Sequence, residues 1–202
     1  MIASMPDAAV RLDIDNPIWE RFFTIAPLVL IGTCDSNGVP DLAPKHMVTP
    51  LGWKNYFGFV CTPRHHTWRN IEQTERFSVS YPRPDQLLLT SLTASPRCDD
   101  DSKPILSALD TFESPDSGVP FLANSYLWLE CSLDRIIPDF GENGLIAGRI
   151  VAAHAAQDAL IHSDMGSDAQ LRDAPLFAYI HPGRFAVIDS SFSFPFPSGM
   201  KK

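Results

Sequence analysis

The sequence predicts a mainly β protein closed into a barrel, with a few short helices. Three observations carry this expectation. Roughly six or seven short apolar segments are separated by turn-like stretches rich in Gly, Pro, Asn and Asp. Helical periodicity is confined to brief stretches between them. No internal repeat or linker divides the 202 residues, and a chain of this length can bury roughly 70% of its unfolded surface in one core. Many short strands on short turns favour a barrel over a sandwich with a helical domain.

The elements follow in order. Asn16 and Pro17 suit the cap and first position of a short helix over 16–23, with Ile18 and Phe22 on one face. Residues 28–33 are continuously apolar, as in a strand buried on both faces. They end at Asp35-Ser36-Asn37-Gly38, whose Asn-Gly step signals a hairpin. The chain returns through 41–49 as one strand, and 56–61 form the next. Pro63 stops that strand, and Thr67 can cap a helix over 68–73. Residues 77–81 alternate polar and apolar, as a half-buried strand does.

Residues 82–120 read as loop with a helical patch at 104–109. Strands at 126–133 and 145–153 flank a turn over 139–144. Gly141, Gly144 and Gly148 read as turn glycines. A polar, partly helical stretch covers 157–173, and 185–188 form the last strand. The tail from Ser190 alternates Phe with Ser and Pro, so it is expected to be extended.

Composition excludes several functions. Lys plus Arg total 16 against 24 Asp plus Glu, a net charge of -8. That argues against nucleic-acid binding, which needs clustered cations, but leaves room for one small basic pocket. The four cysteines lie far apart with no C-x-x-C pair, so no metal site is expected. No apolar run approaches the ~20 residues of a membrane helix, and the N-terminus lacks signal-peptide character. The expected compartment is the cytoplasm. G-x-S-x-G, P-loop, H-E-x-x-H and G-x-G-x-x-G signatures are all missing from the sequence. Asp99-Asp100-Asp101 lacks the alternating ligands of a calcium loop.

Two stretches carry chemistry. One is Asp41-Leu42-Ala43-Pro44-Lys45-His46-Met47-Val48-Thr49. The other is Cys61-Thr62-Pro63-Arg64-His65-His66-Thr67-Trp68-Arg69-Asn70, which runs from a strand end into a helix start. Backbone amides and the helix dipole favour an anion there, and Arg adds a forked, permanently charged donor. A phosphate is therefore one reading of the cluster; a surface turn leading into a capped helix is the other.

The order of these features resembles the flavin reductase-like, FMN-binding split-barrel family. The matching segments are Asp35-Ser36-Asn37-Gly38, Ala43-Pro44, Thr67-Trp68-Arg69-Asn70-Ile71 and Phe77-Ser78-Val79-Ser80. They continue with Ser102-Lys103, Leu129-Glu130-Cys131, Ile146-Ala147-Gly148-Arg149-Ile150-Val151 and Pro175-Leu176-Phe177-Ala178-Tyr179. The resemblance implies a split β-barrel domain over 24–189, between an N-terminal helical extension (1–23) and an extended C-terminal tail (190–202). It implies a homodimer with FMN at the subunit interface. It further implies an oxidoreductase of flavin reductase type, with NADH or NADPH as transient reductant. The alternatives are an FMN-binding electron-transfer or storage module and a dimeric barrel that has lost its cofactor. No catalytic residue is assigned.

The residues expected to hold FMN are Lys45, His46, Met47, Val48, Cys61, Arg64, His65, Thr67 and Asn70. Arg64, Thr67 and His65 would take the phosphate, and the ring would lie against 43–48. Lys45 pairs with the phosphate, reaches the flavin O2, or stands as a solvated strand residue. His46 contacts the flavin or a second substrate, or is an ordinary hydrogen-bonded side chain. Ser95-Pro96-Arg97, His181 and Arg184 are further candidate edges of the site. Trp68 is read as core or dimer packing rather than a flavin stack.

Overall fold

A computed structural model describes residues 8–161, 167–195, 197 and 199. Residues 1–7 of the expected N-terminal extension, 162–166 of the polar stretch, and Phe196 of the tail lie outside the described residues.

The strands are β1 (Thr24–Ala26), β2 (Val29–Cys34), β3 (Pro40–Lys45), β4 (Val48–Pro50), β5 (Tyr56–Cys61) and β6 (Arg76–Tyr81). They continue with β7 (Thr111–Glu113), β8 (Pro120–Leu122), β9 (Leu127–Phe140), β10 (Asn143–Ala155), β11 (Leu176–His181) and β12 (Arg184–Ile188). The α-helices are α1 (His66–Thr74), α2 (Leu87–Leu92) and α3 (Ser167–Asp173). Seven strands form one curled sheet in the order β3-β2-β6-β9-β10-β5-β4. β1, β11 and β12 form a second sheet, and β7 pairs with β8.

The barrel is split, not closed. The sequence reads 41–49 as one strand, but the chain breaks at His46-Met47. β3 stays on β2, with Val29 opposite Lys45, while β4 crosses to β5, with Val48 opposite Phe59. The two ends of the sheet are thus consecutive segments joined by a bend. Pro40, Pro44 and Pro50 all sit on these edge strands, where a missing N–H costs no ladder bond.

The core fills the inside of the curl. Phe57, Phe59, Ile71, Phe77, Val79 and Ile146 are essentially inaccessible, and Trp68 packs with them at 5% exposure. Trp68 is therefore a core residue, which a Trp on the inner face of α1 should be. β2 is buried along its length, as its unbroken apolar run requires. β6 is buried on both faces rather than one. The 111–122 segment covers its outer face: Ser78 Oγ donates to the Pro120 carbonyl, and Ser80 Oγ accepts the Leu122 amide at 3.0 Å. Strict alternation marks polarity, not exposure, when a loop returns to bond the polar face.

Two of the three glycines read as turn glycines do other work. Gly141 has φ +67 and sits in the β9–β10 turn. Gly144 and Gly148 lie inside β10, where a Cβ on Gly144 would stand 2.6 Å from the Trp68 ring and one on Gly148 would strike the Phe77 ring. Glycine here admits the core aromatics. The expected helix at 16–23 reduces to a 3-10 turn at Trp19–Arg21. Trp19 and Phe23 remain 56% and 69% exposed, so no buried face supports a longer helix. Among the described residues, no helix is long and apolar enough to cross a membrane.

Candidate functional site

The break between β3 and β4 lies beside the start of α1. α1 begins at His66, two residues earlier than the sequence suggests, with His65 rather than Thr67 at the cap position. The reason is the turn before it: the His65 amide bonds the Thr62 carbonyl at 3.1 Å, so the chain bends into the helix directly after Pro63. The His65 carbonyl accepts the amides of Trp68 (3.1 Å) and Arg69 (3.3 Å). The His66 and Thr67 amides belong to the first turn and have no acceptor within the helix.

The helix start, the end of β3, the 93–97 loop and Lys103 enclose a cleft of about 390 Å³. Its lining holds four permanent cations (Lys45, Arg64, Arg97 and Lys103) against one carboxylate, Asp41. The protein as a whole carries -8, so this concentration of positive charge is local and specific.

Asp41 organises one wall. It is 3% exposed on β3. Lys103 Nζ donates to its carboxylate at 2.9 Å and to the Leu42 carbonyl at 2.8 Å. Arg97 lies 3.4 Å from the same oxygen and donates to the Asp101 carbonyl at 2.5 Å. One buried carboxylate thus fixes two cations, and the group keeps a net positive charge toward the cleft. Asp101 also approaches His66 Nε2 at 3.3 Å.

The opposite wall is looser. Lys45 Nζ stands 3.4 Å from His65 Nδ1, and Arg64 pairs with Glu142 on the β9–β10 turn, both side chains largely solvated. Burial, together with the charges of Lys45 and Arg64, pushes the His65 pKa below its ordinary value of 6.5. His65 is therefore neutral near pH 7 and can accept a proton when an anion enters.

The structure brings Lys45, Arg64, His65 and Thr67 together around this cleft. It places the other expected residues elsewhere. Asn70 is buried and donates to Thr33 Oγ1 at 3.0 Å, tying α1 to β2. Cys61 is in the core, its thiol 3.9 Å from His65 Nδ1, and burial pushes its pKa up. Val48 is also a core residue, whereas Met47 is 49% exposed. The Met47 carbonyl is taken by the Val60 amide at 2.9 Å. His46 turns away from the cationic cleft and packs against the Tyr179 ring, centroids 4.5 Å apart.

Sequence reasoning did not single out Asp41 or Lys103 as site residues and gave Arg97 only as a candidate edge. The signal for Asp41 was available: a lone carboxylate between apolar residues on a strand needs a buried cation. Which cation it finds is decided by the 93–103 loop, whose path the sequence leaves open.

Among the described residues, no group of three or more His, Cys, Asp or Glu side chains could hold a metal ion. A profile of the flavin reductase like domain matches residues 22–169. Solved structures with the same architecture include nitrilotriacetate monooxygenase component B from Bacillus cereus, at TM-score 0.78 and 18% identity, covering 94% of this chain and 100% of that one. A split-barrel protein from Shewanella frigidimarina assigned as a flavin reductase gives TM-score 0.72 and 22% identity over 86% of this chain and 87% of that one. Flavoredoxin from Methanosarcina acetivorans gives TM-score 0.72 and 17% identity over 95% and 97%. These identities speak for the fold alone. Taken with a profile match that spans most of the chain, the split barrel places this protein in the flavin reductase-like domain family.

Proposed function

We propose that the protein binds FMN and works as a flavin reductase-type oxidoreductase, with NADH or NADPH as the reductant. One observation carries the cofactor reading. A helix start with two free amides opens onto a cleft bearing four cations in a protein of net charge -8. A phosphomonoester carries about -1.5 to -2 charges and suits such a nest. The residues fit the group: Arg64 offers a forked donor, Lys45 a point charge, and Thr67 and His66 their amides.

The chain's own part is binding and orientation. Lys103 and Arg97, held by Asp41, keep positive charge on the cleft wall without swinging into it. The neutral His65 beside Lys45 takes up a proton as the phosphate arrives, which adds a charge-assisted bond. Pro44 and Ala43 give the cleft an apolar floor on which a planar ring can rest. The bound flavin supplies the hydride chemistry itself.

We further propose a homodimer. Trp19, Phe23 and Ile25 are 56%, 69% and 76% exposed in one short stretch, an apolar surface that a second copy would cover.

The absorption spectrum of protein titrated with FMN, followed by anaerobic addition of NADH or NADPH, tests the reading. The expected result is stoichiometric binding followed by bleaching with at least one nucleotide. Binding without bleaching by either would make the protein an electron carrier. Failure to bind any flavin would remove the oxidoreductase reading.

A further inference from the structure

Beyond β12 the chain runs on through residues 189–195, which belong to none of the three sheets, form no turn and are exposed at every position. Phe192 is 98% exposed and Phe194 68%, although a phenylalanine side chain gains strongly from leaving water. The sequence repeats Phe at 192, 194 and 196, so an extended backbone puts these side chains on one face. The amides of Phe192 and Phe194 point to one edge of that strand. Pro195 and Pro197 remove donors from the other edge. The tail is therefore a strand with one apolar face and one pairing edge. It can complete a sheet without offering a further edge to other chains.

A matching edge exists at β1, which has no strand on its outer side among the described residues. Ile25 in its middle is exposed, as are Trp19, Phe22 and Phe23 just before it. The tail does not reach this edge of its own chain without reversing. β12 runs from Arg184, opposite Ile180, to Ile188, opposite Leu176, whereas β1 pairs with Tyr179–His181. The tail thus leaves the sheet at the end away from β1, and it continues through Pro195 without a turn.

We propose that the tail of one copy covers β1 and its aromatic neighbours on a second copy, as an added antiparallel strand. The antiparallel sense carries the rest of the tail along the residues that precede β1. That brings the positive charge of Lys201 and Lys202 toward the exposed Asp13 and Asp15. The exchange is reciprocal, so two copies close on each other and leave no such edge for a third. The proposal rests on the homodimer reading and names the segment that builds the dimer.

Sedimentation equilibrium of the full chain, of F192S/F194S and of I25D tests the exchange, followed by native mass spectrometry of an equimolar mixture of the two variants. All the substituted side chains are exposed, so both variants keep the fold. Each variant alone is expected to dimerise at least about tenfold more weakly than wild type, since each disrupts both tail-to-edge contacts. The mixture is expected to recover a heterodimer, because the intact tail of I25D meets the intact edge of F192S/F194S. A tail that lies on its own chain, or a β1 edge that faces a second β1 edge, gives no such recovery and overturns the proposal. So does unweakened dimerisation of either variant, which leaves the homodimer standing without the exchange. A wild-type chain that stays monomeric removes both readings.

Discussion

Arg64 is the cation with the most freedom in the cationic cleft, and its ion pair with Glu142 is solvated at both ends. Such a pair contributes little to stability, so Arg64 can leave it for a phosphate. Arg64→Ala should weaken FMN binding about tenfold with no change in melting temperature, since one charge-assisted hydrogen bond is worth ~1.5 kcal/mol or more. Flavin fluorescence quenching measures this, and an unchanged affinity would move the phosphate elsewhere. Lys103 behaves differently because it is buried against Asp41. Lys103→Met strands part of a buried charge and should cost about 3 kcal/mol of folding stability. Denaturant titration of the flavin-free protein reads that loss directly.

His65 and His46 add a pH dependence. Burial first, and then neighbouring positive charge, hold both below the ordinary value of 6.5 in the folded chain. The unfolded chain therefore binds more protons than the folded one as pH falls below 6.5, and stability drops on acidification. Above the unfolded value neither group contributes a slope. Thermal melts of flavin-free protein between pH 7 and 5 should show a falling melting temperature, and His65→Gln together with His46→Gln should flatten it. A double variant with the same slope as wild type would assign the acid sensitivity to other groups.

At the scale of elements, the informative contrast is between β10 and the two sheet edges. Gly144 and Gly148 are extended strand residues, and their purpose is to admit Trp68 and Phe77. Gly144→Ala places a methyl group against the Trp68 ring and the Ile137 carbonyl, both of them confined. Overpacking of this kind costs about 1–3 kcal/mol, so the melting temperature should fall while Gly141→Ala acts only through its positive φ. The existence of most strands was legible in the sequence: the apolar run of β2, the Asn-Gly turn after it and the β9–β10 pair all stand where patterning puts them. β1, β7, β8 and β11 were not read as strands. The first three span three residues each and β7 is exposed throughout, so they carry too little pattern to distinguish them from loop.

At the scale of the whole molecule, charge and apolar exposure make separate demands. An acidic protein with a cationic cleft attracts an anionic ligand against its own long-range field. FMN affinity should then fall steeply with ionic strength for the solvated Lys45 and Arg64 contribution, and a floor set by the buried Lys103–Asp41–Arg97 group should remain at high salt. Titrations at low and high salt compare the two. Sedimentation equilibrium tests the dimer: a species of twice 22.4 kDa is expected, and Ile25→Asp should shift it toward monomer. A wild-type chain sedimenting as a monomer would leave the exposed Trp19, Phe23 and Ile25 without an occupant.

By itself, the sequence determined that this is a mainly β protein with a run of basic residues at a helix start. Strand patterning and the Arg-His-His-Thr run are local, and local chemistry can be read from neighbouring residues. Only the tertiary structure decided that the barrel is split at His46-Met47. That break sends Lys45 to the cationic cleft and His46, its neighbour in sequence, against the Tyr179 ring. It also decided that Asp41 meets Arg97 and Lys103, since a buried carboxylate demands a cation without specifying which distant loop will bring it.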